Sequence, residues 1–271
     1  MNKIALVTGA SSGIGAMTAR ELAANGFTVY AAARRVEKME ELKKDGIKPV
    51  SLDVTDENSM VKCIHHILEE AGRIDVLVNN AGYGSYGAIE DVSMAEARRQ
   101  FDVNLFGMAR LIQLVTPSMR KHHEGKIINI SSMGGKIWTK FGGWYHATKF
   151  AVEGFSDCLR MELAPFGIDV VVVEPGGIKT DWGIIAANHL KDSAKGGAYE
   201  KYANEAADGM IKNYSGTMLA KPELIARTIR KAAMKKRPHT RYLKGFMAKP
   251  MVWTQKFLGD RVYDWMIRHF S

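Results

Sequence analysis

Short apolar runs alternate along the chain with longer segments in which apolar positions recur every three or four residues. The runs at 4–7, 28–33, 49–52, 74–78, 126–130 and 169–173 read as strands. The segments between them read as helices that end near 25 and 44 and then span about 56–71, 93–120 and 144–164. In the last run Asp169 is followed by four valines, without the alternation of a strand wetted on one face, which suits a strand covered on both. Helical crossovers of this length require parallel pairing, so the pattern predicts an α/β fold with a doubly wound parallel sheet in a single domain, residues 1–271. From 176 to about 221 the pattern dissolves into Gly-, Ala- and Lys-rich sequence of weak helical period, long for a connection in a compact domain. Residues 178–218 are therefore expected to form a substrate lid.

Composition narrows this picture. At 46% hydrophobic residues the 271-residue chain can bury a substantial core, and no run approaches the apolar length of a membrane-spanning helix. The apolar stretch 4–7 is too short for a signal peptide and runs directly into a glycine turn. Cys63 and Cys158 are far apart and have no partners at metal-ligand spacing, so neither a disulfide framework nor a metal site is expected, and a reducing cytoplasm fits. The net charge of +9 is uneven: residues 1–230 hold 28 Lys and Arg against 27 Asp and Glu, whereas 231–271 hold 10 against 2. A basic tail without any recognised module does not make a nucleic-acid binder. That tail, 231–271, also carries Tyr242, Phe246, Trp253, Phe257, Tyr263, Trp265 and Phe270. Leu258, Val262, Trp265 and Met266 fall on one helical face, flanked by Phe257 and Phe270, with Lys256, Arg261 and Arg268 nearby. Two readings follow: peripheral membrane contact through the tail, or, preferred, packing against the sheet edge or a second subunit.

Chemistry concentrates at strand ends. Thr8-Gly9-Ala10-Ser11-Ser12-Gly13-Ile14-Gly15 follows the first strand and opens an alanine-rich helix. Gly9, Ser11, Ser12, Gly13, Ile14 and Gly15 are thus candidates to hold a dinucleotide pyrophosphate at a helix N-terminus in a Rossmann-like sheet, although the spacing is G-x-x-x-G-x-G. About twenty residues on, where an acid would accept the ribose 2′-hydroxyl of NAD, stand Ala33, Arg34 and Arg35. A guanidinium pair matches a phosphate, so NADP is the expected cofactor. Asp53 and Val54 end the third strand, placed to meet the adenine, and Asn79-Asn80-Ala81-Gly82 follows the fourth. Ser132 follows the fifth strand, and Tyr145 and Lys149 lie one helical turn apart on one face. An ammonium there would lower the pKa of the phenol and make Tyr145 a workable general acid or base.

These motifs in this order and spacing, together with Asn104 in N-L-F-G and Pro175-Gly176 followed by Thr180, resemble the classical short-chain dehydrogenase/reductase family over residues 1 to about 180. The resemblance implies that Ser132 orients the substrate oxygen, Tyr145 transfers its proton and Lys149 also binds the nicotinamide ribose. It further implies that Asn104 holds a water in a proton relay and that Ile178 and Thr180 meet the nicotinamide carboxamide, beside Pro175 and Gly176. More narrowly, residues 29–34 and the tail around 241–249 and 257–267 resemble the hydroxysteroid and retinol dehydrogenase branch. The expected activity is interconversion of a carbonyl and an alcohol on a bulky apolar small molecule; the alternative is a regulatory or scaffold protein that binds NADP without turnover. The helices near 96–119 and 144–163 carry more apolar surface than one sheet face absorbs, and the resemblance implies that they form a two-fold interface, so a homodimer or homotetramer is expected.

Overall fold

A computed structural model describes residues 2–270, the side chain of Phe270 excepted. Seven parallel strands form one sheet in the order β3-β2-β1-β4-β5-β6-β7. They are β1 (Ile4–Thr8), β2 (Thr28–Ala33), β3 (Lys48–Ser51), β4 (Val76–Asn79), β5 (Gly125–Ile130), β6 (Ile168–Pro175) and β7 (Arg241–Lys244). The sheet is doubly wound, as the alternation of strands and helices predicts. Because strand side chains alternate between faces, Ala5, Val7, Val29, Ala31 and Val78 enter one core, against α1 (Gly13–Ala23) and α8 (Pro222–Met234). Leu6, Tyr30, Leu77 and Ile127 enter the other, against α2 (Glu57–Ala71), α4 (Gly107–Lys121) and α5 (Gly143–Leu163). The chain crosses from the β3 edge back to β4 beside β1, so the strand order reverses between β1 and β4. The carboxyl ends at that switch point are where an open α/β sheet holds its ligand.

Several expected elements differ in kind. The charged segment after β2 is a 3₁₀ helix, Val36–Asp45, whose apolar Val36, Met39 and Leu42 recur every third residue, the period of that helix. The single helix expected over 93–120 is broken into α3 (Met94–Phe101), a π-helical turn (Asp102–Phe106) and α4. Ser93 caps α3 by accepting from the Glu96 backbone N–H at 3.2 Å, as the S-x-x-E spacing dictates. The expected lid loop is instead a pair of packed helices, α6 (Trp182–Ala194) and α7 (Glu200–Ser215). Ala186, Ala187, Ala194, Ala203 and Ala207 are buried between them, so the alanine content that weakened the apolar pattern is what lets two backbones approach. The tail is not a separate appendage either. Its first residues complete α8, β7 pairs with β6, and only α9 (Ala248–Phe270), bent at Gly259 with φ 77°, lies beyond the sheet. Among the described residues no helix is long and apolar enough to cross a membrane.

Candidate active site

Two adjoining cavities run along the carboxyl ends of the strands. The larger, about 1000 Å³, extends from the β1–α1 loop past Ser132, Tyr145 and Lys149 to α6 and α7. The smaller, about 420 Å³, shares Gly9, Ser11, Ser12, Arg35 and Gly82 with it and continues to Arg34, Asp53, Val54 and Ala81. Every residue given a catalytic or cofactor-binding role in the sequence lines one or both, except Gly15 and Asn104.

The β1–α1 loop is shaped by close approach. Gly9 and Gly13 take positive φ, 65° and 54°, which favours glycine. A Cβ on Gly9 would meet the Ala81 Cα at 2.9 Å, and one on Gly15 would strike the Gly9 carbonyl. Thr8 ties the loop to the next strand end: its Oγ1 accepts from the Asn80 and Ala81 backbone N–H groups at 3.0 Å each, and Asn80 Nδ2 donates back to the Thr8 carbonyl at 2.9 Å. Ser12 occupies the N-cap of α1 in extended geometry without a side-chain capping bond. The first-turn N–H groups, with the positive end of the helix dipole, therefore face the cavity. Such a cradle, continued by two cavities end to end, fits a dinucleotide whose pyrophosphate lies on α1. In the smaller cavity Asp53 Oδ1 accepts from the Thr55 N–H and hydroxyl at 2.9 and 2.8 Å. Burial works to raise the Asp53 pKa, but these bonds and the nearby Arg34 and Arg99 hold it below the ordinary value. Arg34 and Arg35 are exposed at the rim, and Lys38, unnoticed in the sequence, joins them from the 3₁₀ helix.

At the other end Tyr145 and Lys149 share the α5 face that the sequence spacing demands. Lys149 Nζ lies 5.8 Å from the phenol ring centroid and donates to the Ile130 carbonyl at 2.9 Å. Ser132 Oγ lies beside the phenol, donates to the Pro175 carbonyl at 3.4 Å and accepts from the Gly134 N–H at 3.0 Å. The expected drop in the Tyr145 pKa does not occur: burial raises it above its ordinary value, the neighbouring Tyr86 and Tyr214 add to the rise, and the Ser132 hydroxyl only partly opposes it. Tyr145 lies beneath a wall of rings, with Trp182 at 5.0 Å and Tyr86 at 5.9 Å between centroids, and water cannot stabilise a phenolate there. Burial also brings Lys149 down to about 8, with Glu153 resisting the fall. Asn104 sits in the π-turn, where its Oδ1 accepts from the Tyr83 N–H at 3.0 Å and its Nδ2 donates to the Tyr83 carbonyl and Thr148 Oγ1 at 2.9 and 3.0 Å. Its side chain thus pins the 83 loop to α5.

Three further contributions, besides Lys38, escaped sequence reasoning. His146, buried beside Tyr145, bonds Gly134 through Nδ1 at 2.9 Å and accepts from the Thr139 N–H at 3.1 Å, fixing the loop after Ser132 on α5. Met210 and Tyr214 of α7 close the far wall with Trp182. The four-residue series Tyr202, Ala206, Met210, Tyr214 was a readable signal for that face. Last, the start of the tail supports the cavity floor. Gly177 N–H donates to the Phe246 carbonyl at 3.0 Å, and a Cβ on Gly176 would collide with that same oxygen.

A dinucleotide cradle joined to a Ser, Tyr and Lys cluster at the switch point of a doubly wound sheet defines a nicotinamide-dependent oxidoreductase. Residues 3–188 match the family model for short chain dehydrogenase, and the chain belongs to the short-chain dehydrogenase/reductase family. It is 34% identical over 265 residues to a probable short-chain type dehydrogenase/reductase, VdlC, of Helicobacter pylori, covering 98% of this chain and 96% of that one. It is 43% identical over 178 residues to the 3-ketodihydrosphingosine reductase of Bacteroides thetaiotaomicron, covering 66% of this chain and 65% of the relative. Among solved structures, a short-chain dehydrogenase from Streptomyces avermitilis superposes with a TM-score of 0.82 at 34% identity, covering 99% and 96% of the two chains. A metagenomic short-chain oxidoreductase in complex with NADP superposes with a TM-score of 0.70 at 28% identity, covering 89% and 96%. The protein is an NAD(P)-dependent enzyme of this family.

Proposed function

We propose that the enzyme reduces a carbonyl group on a bulky apolar small molecule with NADPH. The carrying observation is the single cavity of about 1000 Å³ in which the glycine cradle, the Ser132, Tyr145 and Lys149 cluster and an apolar wall meet. That wall includes Met133, Ile137, Phe141, Trp182, Ile185 and Met210. The likeness to a 3-ketodihydrosphingosine reductase supports a lipid-like substrate. Arg34 and Arg35, with Lys38 beside them, would hold the 2′-phosphate; Gly9 to Gly15 would hold the pyrophosphate, and Asp53, Val54, Asn80, Ala81 and Gly82 would line the adenosine side. Pro175, Gly176, Ile178 and Thr180 would bound the nicotinamide. When bound, that ring supplies a hydride.

Ser132 orients the substrate oxygen and Tyr145 gives it a proton. A phenol of raised pKa stays protonated at neutral pH, the form that can give its proton to the substrate oxygen. The Lys149 ammonium, charged below about pH 8, favours the phenolate left behind and serves the ribose. The Asn104 amide is committed to Tyr83 and Thr148, so any part it takes in a proton relay runs through its backbone in the π-turn. The two free cysteines, Cys63 buried and Cys158 exposed, suit a reducing compartment such as the cytoplasm.

The test is oxidation of NADPH with a panel of bulky ketones, followed by absorbance. Tyr145→Phe should bind cofactor normally and lose well over ten-fold in kcat, a deficit above about 1.4 kcal/mol in the transition state alone. The wild-type rate should fall as pH rises through about 8, where Lys149 gives up its proton. A variant that keeps more than about a tenth of kcat removes Tyr145 from the role of proton donor.

A further inference from the structure

The inner stripe of α9 is fully engaged. Tyr263 and Ile267 are buried, and Met251, Val252 and Met266 pack with them against Met133, Ile137 and Trp138. Trp138 Nε1 donates to Asp264 Oδ1 at 2.8 Å, and the Tyr263 hydroxyl donates to the Trp138 carbonyl at 3.0 Å. The face expected from helical spacing, Leu258, Val262, Trp265 and Met266, is therefore split: Met266 packs inward with this stripe, on residues 133–138 and not on the sheet edge, whereas Leu258, Val262 and Trp265 stay exposed around the bend at Gly259. With them on the outer face, Trp253 is 53% and Phe257 72% exposed, and Trp265 stacks on His269. Phe246 and Met247 extend the apolar edge at the entry to the helix. Singly such residues are ordinary, but a contiguous group is not.

The charges on the same face identify the occupant. Lys249, Lys256, Arg261 and Arg268 are all exposed, two of them with the ammonium 5.8 Å from an apolar ring, Lys249 over Trp253 and Lys256 over Phe257. Of the two acids on α9, Asp264 is held by Trp138 and Asp260 accepts from Gln255 Nε2 at 3.2 Å. A second copy of this basic face would have to bury these cations against like charges, with both acids of its own α9 already hydrogen-bonded within that chain. At a lipid surface the rings enter the acyl boundary while the long stems carry their charges outward to the phosphates. We propose that the outer face of α9, centred on Trp253 and Phe257 and ringed by Lys249, Lys256, Arg261 and Arg268, docks the enzyme on an anionic bilayer. The inner stripe of the same helix rests on residues 133–138, a wall of the substrate cavity, so docking places that cavity beside the membrane.

Vesicle flotation tests this independently of activity, and so of the proposed reaction. The wild-type protein should float with vesicles of phosphatidylglycerol and phosphatidylcholine at low salt, bind phosphatidylcholine alone at least ten-fold more weakly, and release as salt is added. Each cation reversed, as in Lys256→Glu, should weaken binding by about five-fold or more. Trp253→Ala with Phe257→Ala should weaken it at least ten-fold while leaving thermal stability unchanged, since neither ring is in the core. Failure of the wild type to float with anionic vesicles overturns the proposal. So does a double variant that floats as well as the wild type, and so does a concentration-dependent dimer abolished by the double variant in a protein that ignores vesicles.

Discussion

At the scale of single residues, environment overrides the chemistry that spacing suggests. Tyr145 and Lys149 are one turn apart as expected, yet the ammonium is turned to the Ile130 carbonyl and the phenol is raised rather than lowered, because the rings above it exclude water. The Arg34 and Arg35 pair is different: it stands exposed at the rim of the smaller cavity. Arg34→Ala should therefore cost NADPH affinity and leave NADH nearly untouched. A charge-assisted contact contributes about 1.5–3 kcal/mol, and solvent screening at an exposed position places the effect at the low end. The expected outcome is a loss of about ten-fold in the ratio of the two affinities, read by fluorescence titration of both cofactors. An unchanged ratio would assign the 2′-phosphate contact elsewhere.

Among the elements, α6 and α7 carry the clearest mechanical role. Their contact surface is built on alanines, and one exposed ion pair, Lys191 to Asp208 at 2.6 Å, joins them across the outside. Gly196, at φ 74°, turns the chain between the helices, Gly176 and Gly177 precede α6 and Gly216 follows α7. Trp182 and Tyr214, one from each helix, lie over Tyr145 with ring centroids 6.2 Å apart. A rigid hairpin hinged at its ends would move as a unit, opening Tyr145 when Trp182 withdraws and excluding water when it returns. Amide exchange over residues 182–218 should slow when cofactor and product are bound together, most of all near 210–218. Equal exchange with and without ligands would reduce α6 and α7 to a fixed wall.

At the scale of the whole molecule, exposed apolar side chains occur on the helix flank as well as on α9. Phe106, Phe150 and Met161, on the π-turn and α5, are exposed on the flank formed by the helices after β4 and β5, away from the basic face of α9. We propose this flank as the contact for a second copy, separate from the α9 face proposed to dock on lipid. The chain, of 30.0 kDa, should scatter light at micromolar concentration as a species of at least twice that mass. Phe150→Glu should shift it toward the monomer. A 30.0 kDa species in the wild type would end the dimer assignment.

The sequence alone determined the order of the first six strands and of the helices between them, the parallel sheet and the places where loops meet at its carboxyl edge, but not β7. Those follow from local period and from glycines that only one backbone path tolerates, such as Gly9 against Ala81. It also placed Ser132, Tyr145, Lys149 and the arginine pair, because turns and helix spacing are local rules. It did not separate a 3₁₀ helix from an α-helix at Val36–Asp45, where the every-third-residue apolar spacing lies close to both periods, nor find the π-turn that draws the Asn104 amide to Tyr83, which depends on what lies across the gap. Only the tertiary structure decided that the Ala-rich stretch after β6 is a helical hairpin, that α9 spends one face on Trp138 and keeps another outside, and that Tyr145 is buried under Trp182. Burial and desolvation are sums over neighbours distant in sequence, and no local pattern carries them.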